Sequence, residues 1–336
     1  MSVPTRLVVA AVLAIAVPLA ASQAPVRLTL ATQAPSNSTW HKALGELGAT
    51  WAKVTSGRVT LQLFPDARLG DEQTVVKKLT GNIQVQAALL TAGGLANIAD
   101  AFNVFGMPFF IENDAEQQAV QKKLEPRLQE ILEAKGVHLI AWGTGGWVEL
   151  FSKQPIRTLA ELKASKLYTG DDRLLQWYTT NGFNAVLLPL AEITTQLKLP
   201  SGNINAAPNT PYLAMMTQIF TPAPYMLDLH IAPLVGALIV STKAWNSISA
   251  DDRAKLTEAA RAMEAKIRSE IPALDATSLA EMTKKGLQVV KLAPPAAAEF
   301  RAAATDMVKT MRGKMVPADI FDMALAERDA FRKEKK

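Results

Sequence analysis

The chain has 336 residues, 49% hydrophobic and 20% charged, with a formal net charge of +5 and no cysteine. That composition excludes wholesale disorder, a disulfide framework and a thiolate metal site. The length exceeds one compact core and fits two lobes, and the basic excess, concentrated in a tail of Arg332, Lys333, Lys335 and Lys336, forms no basic and aromatic stripe of the kind that binds nucleic acid.

In chain order, Arg6, an apolar run from Leu7 to Leu19 and the small residues Ala20, Ala21 and Ser22 read as a secretory signal over residues 1–22. The competing reading is an uncleaved anchor, but the run is short for a bilayer, and no later segment has the roughly 18 uninterrupted apolar residues of a spanning helix. Cleavage is expected near Ala21 to Gln23, leaving an exported periplasmic protein.

Short β-like runs then alternate with amphipathic stretches, which is α/β patterning. Strands are expected at Val26 to Thr32, Arg58 to Phe64, Val85 to Leu90 and Val137 to Trp142. Asn37 or Ser38 caps a helix that stops at Gly57, and Asp114 caps another that ends before Gly136. A glycine-loosened crossing at Gly143, Gly145 and Gly146 leads to a strand from Trp147 to Ser152 and a turn at Pro155. A capping box at Thr158 and Glu161 opens a short helix before a strand at Lys166 to Thr169. The pattern continues with a helix from Asp172 to Asn181, a strand at Ala185 to Leu188, a helix after Ala191 and a return strand at Leu234 to Val240. From Ser249 a helical region runs to about Lys285, with a kink expected at Pro272.

Catalytic constellations are missing: there is no G-x-S-x-G, no H-E-x-x-H, no phosphate loop and no dinucleotide fingerprint. His41, His138 and His230 lack metal-ligand spacing. Asp171 and Asp172 read as a helix N-terminus rather than an acid/base pair. No cofactor is expected, and a secreted α/β enzyme is the least favoured function.

The segment from Ser152 to Tyr168 resembles the periplasmic solute-binding proteins of TRAP transporters, the DctP-like family. Ser152, Lys153, Pro155, Ile156, Thr158, Leu162, Lys163 and Lys166 match the family phrase S-K-x-P-I-x-T-x-x-x-L-K-x-x-K-h-R, where h is apolar. Residues 58–70, Met107 to Phe110, Gly202 to Asn209 and Trp245 resemble further family phrases, with Asn205 replacing an aspartate, and the resemblance runs from about Arg27 to about Ala260. It implies a two-lobed binding-protein fold with mixed sheets flanked by helices, an interlobe cleft and a long helix tying the lobes together. Residues 25–144 plus 236–275 are expected as lobe I, and residues 145–235 plus 276–336 as lobe II.

The resemblance also implies a pocket at Gln33, Glu72, Thr91, Trp147, Tyr168, Gly170 and Asn209, to which adjacency adds Asp171 and Tyr212. Tyr168 stands where most of the family carries a carboxylate-clamping arginine, and a second family arginine falls on Trp147. A tyrosine offers one neutral hydroxyl instead of a charged fork, so a neutral, aromatic or amine-bearing solute stands beside the family's organic acids as the expected ligand. Arg173 is expected to be carried aside on its helix, and Lys166 to alternate away from Tyr168. Competing structural roles are helix-end charge for Glu72, a cap or turn for Asn209 and core or hinge packing for Trp147. The implied partners are a small-molecule ligand and TRAP permease membrane subunits, with no nucleic acid. An ATP-driven importer component or a chemoreceptor is the alternative within binding proteins.

Overall fold

The computed structural model describes residues 24–81 and 83–335; the expected signal segment, residues 1–22, lies outside the described residues. The strands are β1 (Val26–Thr32), β2 (Val59–Phe64), β3 (Ala87–Thr91), β4 (Val137–Trp147), β5 (Glu149–Ser152), β6 (Leu167–Thr169), β7 (Ala185–Leu187), β8 (Ala206–Asn209), β9 (Tyr225–Leu227), β10 (Pro233–Ser241) and β11 (Gln288–Val290). Between them lie α1 (Thr39–Val54), α2 (Glu72–Thr80), α3 (Ala92–Ala96), α4 (Asp114–Glu133), α5 (Leu159–Ala164), α6 (Asp172–Thr180), α7 (Ile193–Lys198), α8 (Pro211–Met216), α9 (Thr242–Asn246) and α10 (Ala250–Lys284). After β11 come α11 (Pro294–Met311) and α12 (Ala318–Glu334), and a 3-10 helix covers Asp100–Gly106.

Two sheets form, in the orders β2-β1-β3-β10-β4 and β11-β9-β5-β8-β6-β7. In the first, β10 alone runs against its neighbours; in the second, β5 does. These are the strands that arrive from the other sheet, β5 directly after β4 and β10 after β9. Each lobe is therefore a parallel α/β sheet completed by one antiparallel strand at the crossing.

The expected glycine crossing is strand throughout. β4 continues through Gly143, Gly145 and Gly146 because β10 pairs with it along that length, Gly236 opposite Gly143 and Pro233 opposite Trp147. Glycine is needed for two separate reasons here. Gly146 has a φ of +91°, and a Cβ on it would lie 1.8 Å from Asp275 Oδ2. A Cβ on Gly236 would lie 2.5 Å from the Leu90 carbonyl oxygen on β3.

Several other sequence expectations shift. Asn113, not Asp114, caps α4, accepting from the Glu116 amide, and Asp114 falls in the first turn. α10 continues through Pro272 for 35 residues, capped by Ser249. Its start is held by the Arg58 fork, whose Nε and Nη2 donate to Asp252 at 2.8 and 2.7 Å, and by the buried Trp51 indole, which donates to the Leu256 carbonyl at 3.0 Å. Ser38 caps α1, and Thr158 with Glu161 forms the expected capping box on α5. α11 lies against α5, while α12 returns to α4, where Arg127 reaches Asp319 and Arg332 reaches the buried Glu116.

Gly146→Ala is expected to destabilise the fold by roughly 2–4 kcal/mol, because the methyl must displace Asp275 at a left-handed backbone position. Urea unfolding checks this, and an unchanged midpoint would contradict the close packing at the crossing.

Candidate functional site

In α/β sheets the C-terminal ends of parallel strands carry loops that hold ligands. Here those ends from both sheets face one cleft: Gln33 follows β1, Thr91 ends β3, Gly170 follows β6 and Leu188 follows β7. The main cavity is about 1100 Å³. It meets a narrower apolar pocket of about 140 Å³ at Gln33, Glu72, Thr91 and Leu190.

Of the residues expected in the pocket, Gln33, Glu72 and Thr91 line both spaces, Tyr168, Gly170 and Asp171 line the larger, and Tyr212 lines the narrower. The structure thus brings seven of the nine together from opposite lobes. Trp147 and Asn209 line neither space. Trp147 ends β4, past the register shift between Pro233 and Val235, and emerges on the far side of the crossing. Its indole donates to Asp114 Oδ1 at 2.8 Å, its ring packs 5.7 Å from that of His230, and it borders a separate cavity of about 420 Å³. Asn209 ends β8 opposite Glu149, and its side-chain oxygen accepts from the Thr210 amide at 2.9 Å.

Glu72 is the polar centre of the first-lobe wall. Its two carboxyl oxygens accept from the Thr91 amide and the Thr91 hydroxyl, both at 2.6 Å, and Thr91 in turn caps α3 through the Gly94 amide. Burial raises the Glu72 pKa against these hydrogen bonds. Across the cleft, burial pushes the Tyr168 hydroxyl up to about 12, with the nearby Glu72 charge adding to the shift. The phenol therefore stays neutral and offers a hydrogen bond rather than a charge. Gly170 keeps room for it, since a Cβ there would lie 2.6 Å from the Tyr168 oxygen.

Acids outnumber cations on the main cavity wall, with Asp71, Glu72, Asp100, Asp171 and Asp172 facing Lys135 and Arg173. Most of these acids already have structural work. Asp71 caps α2 through the Thr74 amide at 2.7 Å, and the Thr74 side chain, together with that amide, holds its carboxyl below the ordinary range. Asp171 caps α6 through the Arg173 and Leu174 amides at 2.9 Å.

Sequence reasoning missed Arg173. It does lie on a helix, but in the first turn of α6, directly at the cleft, and it reaches the other lobe to donate to Asp100 and, at 3.0 Å, to the Ala96 carbonyl. The signal was present: only Gly170 and the cap Asp171 separate β6 from α6, and a short strand-to-helix turn leaves the first helical turn at the strand's C-terminal end. A second bridge between lobes comes from Tyr212, whose hydroxyl accepts from the Thr39 amide at 2.7 Å at the start of α1.

Behind the crossing, Glu149 accepts from the Leu229 and His230 amides at 2.7 and 3.0 Å, and His230 Nδ1 lies 3.1 Å from its other oxygen. Burial outweighs these contacts and raises the Glu149 pKa from 4.5 to about 7. Asp275, also raised by burial, reaches about 6 while accepting from the Tyr212 amide. A carboxyl with a raised folded pKa favours the fold most fully below its ordinary value and loses that contribution as pH rises through the folded one. Melting temperature is therefore expected to fall between about pH 4.5 and 7, and Glu149→Gln should flatten that fall. An identical pH profile in the variant would contradict the assignment.

Two α/β lobes sharing one ligand-sized cleft are the arrangement of a solute-binding protein. The profile of the bacterial extracellular solute-binding protein family 7, DctP, matches residues 30–314, and the chain belongs to that family. Among curated relatives, the 2,3-diketo-L-gulonate-binding periplasmic protein YiaO of Escherichia coli is 27% identical over 43% of this chain and 44% of its own length. The match to a solute-binding protein of Verminephrobacter eiseniae is 25% identical and covers 81% of this chain and 80% of that protein. The chain matches only 44 to 64% of the length of the first three curated relatives. A TRAP periplasmic solute-binding protein from Xanthobacter autotrophicus with bound β-D-galacturonate superposes with a TM-score of 0.82, at 21% identity, over 90% of this chain and 99% of that one. A Bordetella pertussis extracytoplasmic solute receptor binding pyroglutamic acid gives 0.83 at 18% identity, again over 90% and 99%. Family and neighbours are receptors rather than enzymes. Among the described residues no helix is long and apolar enough to cross a membrane.

Proposed function

We propose that this protein, exported with residues 1–22 removed, captures a small organic solute in the interlobe cleft and presents it to the membrane subunits of a TRAP permease. The observation that carries this reading is the cleft of about 1100 Å³ walled by Gln33, Glu72 and Thr91 from one lobe and by Tyr168, Gly170 and Asp171 from the other. A solute held by both walls stabilises the closed pair of lobes and so acts as the link between binding and shape. We take residues 25–144 plus 236–275 as lobe I and residues 145–235 plus 276–336 as lobe II, with α12 at the end of the chain packing against α4 of lobe I.

Tyr168 contributes a neutral hydroxyl and a ring edge to this site, and Tyr212 closes its narrow apolar end. Trp147 and Asn209 act on the crossing instead and support the site from outside.

Protein recovered from the periplasm is expected to carry a bound small molecule visible by native mass spectrometry, and adding that molecule to stripped protein should raise the melting temperature. Absence of any bound species, together with no thermal response to a broad solute panel, would contradict the reading. Tyr168→Phe should weaken the recovered solute by about 0.5–1.5 kcal/mol in calorimetry, the range of one hydrogen bond. Unchanged affinity would remove the hydroxyl from the site.

A further inference from the structure

The segments that carry the chain between the two sheets bring three metal-ligating side chains together behind the crossing, away from the solute cleft. β5 pairs with β9 with Leu150 opposite Leu227, so Glu149, one residue back along β5, comes beside Asp228, the first residue after β9. His230 follows in a left-handed conformation, with a φ of +51°. Spacing in the sequence conceals this group, because Glu149 is distant along the chain and arrives only through sheet pairing.

One carboxylate oxygen of Glu149, one of Asp228 and a ring nitrogen of His230 all lie within 4.8 Å of one another. His230 Nδ1 is 3.1 Å from Glu149 Oε1 and 3.5 Å from Asp228 Oδ1. Zinc bonds of about 2.0–2.1 Å at tetrahedral angles set neighbouring donors roughly 3.3–3.4 Å apart, between those two separations. The donors are also held in place. Glu149 Oε2 accepts from the Leu229 and His230 amides, which leaves Oε1 facing the imidazole, and the Trp147 ring packs 5.7 Å from that of His230.

Hydrogen bonding alone leaves this group incomplete. Nδ1 carries at most one proton and has two carboxylates within reach, and among the described residues His230 is the only polar partner of the Asp228 side chain. The adjoining cavity of about 420 Å³ adds Asp114 and Asp275 to the same wall, against Arg268, whose guanidinium is held by Glu264 at 2.9 Å. Negative charge is therefore in surplus beside the three donors.

We propose that Glu149, Asp228 and His230 bind a first-row divalent cation of the zinc type, which braces the two segments joining the lobes. A nitrogen donor among two carboxylates selects such an ion over calcium or magnesium, which take oxygen donors. The site lies outside the solute cleft and does not depend on which solute is captured. Protons compete with the ion for the same three donor atoms.

The experiment is calorimetric titration of zinc chloride, at neutral pH, into the full mature protein after chelator treatment, as wild type, His230→Asn, Asp228→Asn and His41→Asn. Asparagine is chosen at position 230 because it tolerates the left-handed backbone, and melting curves taken in chelator check that each variant is folded. Expected is one ion per chain in wild type and in His41→Asn, bound at least ~30-fold more weakly in His230→Asn and about tenfold more weakly in Asp228→Asn. Zinc should also raise the melting temperature of wild type and not that of His230→Asn. Absence of zinc uptake by wild type overturns the proposal. Equal zinc affinity in wild type, His230→Asn and Asp228→Asn overturns it as well, since the ion then sits elsewhere on the surface. Tighter binding of calcium than of zinc, unchanged in His230→Asn, removes the imidazole from the site. If one variant fails to fold, the other carries the same comparison.

Discussion

The structure depends on the antiparallel pairing of β4 with β10. These two strands lie side by side at one edge of the first sheet and then lead directly into the second, so their ladder fixes where the lobes meet. Antiparallel backbones approach closely, and here the crossing must also admit Asp275 from α10 and the edge of β3. Small residues are the only way to satisfy all of these neighbours at once. Gly146 and Gly236 answer that requirement, one through its left-handed backbone and the other through contact with the Leu90 carbonyl.

Once the crossing is fixed, the location of the site follows. Each sheet is parallel apart from the strand delivered by the other lobe, and the parallel strands of both sheets end at the same opening. Helices that start there present their caps and first turns to the cavity. That is why the wall is rich in acids yet not simply a trap for cations: Asp71 and Asp171 satisfy helix amides, and Glu72 and Thr91 anchor α3. It also explains why an arginine in a first helical turn reaches across the opening.

The α/β class and most strand positions were legible because alternation, caps and glycines are local signals. β1 at Val26–Thr32 and the capping box at Thr158 and Glu161 fall where local patterning puts them. β9 and β11 were not legible, since each is only three residues long and is defined by its pairing with a strand distant in sequence. Site residues taken from strand ends reached the cleft, whereas Trp147 did not, because a register shift beyond the local pattern decides which side of the crossing it faces. Arg173 was misjudged for the opposite reason: helical location was read correctly, but the tight turn that keeps this helix start at the cleft is a property of the β6–α6 junction.

Closure of the two lobes over a solute about the β4–β10 crossing is tested most directly by a distance across the cleft. The absence of native cysteines allows clean spin labelling of Lys77→Cys on α2 and Thr179→Cys on α6, two exposed positions on opposite lobes. Electron-electron resonance should show a broader, longer distance distribution in stripped protein, and a narrower, shorter one after the native solute is added. The same distribution in both states, with binding verified on the same sample, would contradict a cleft that closes on its ligand.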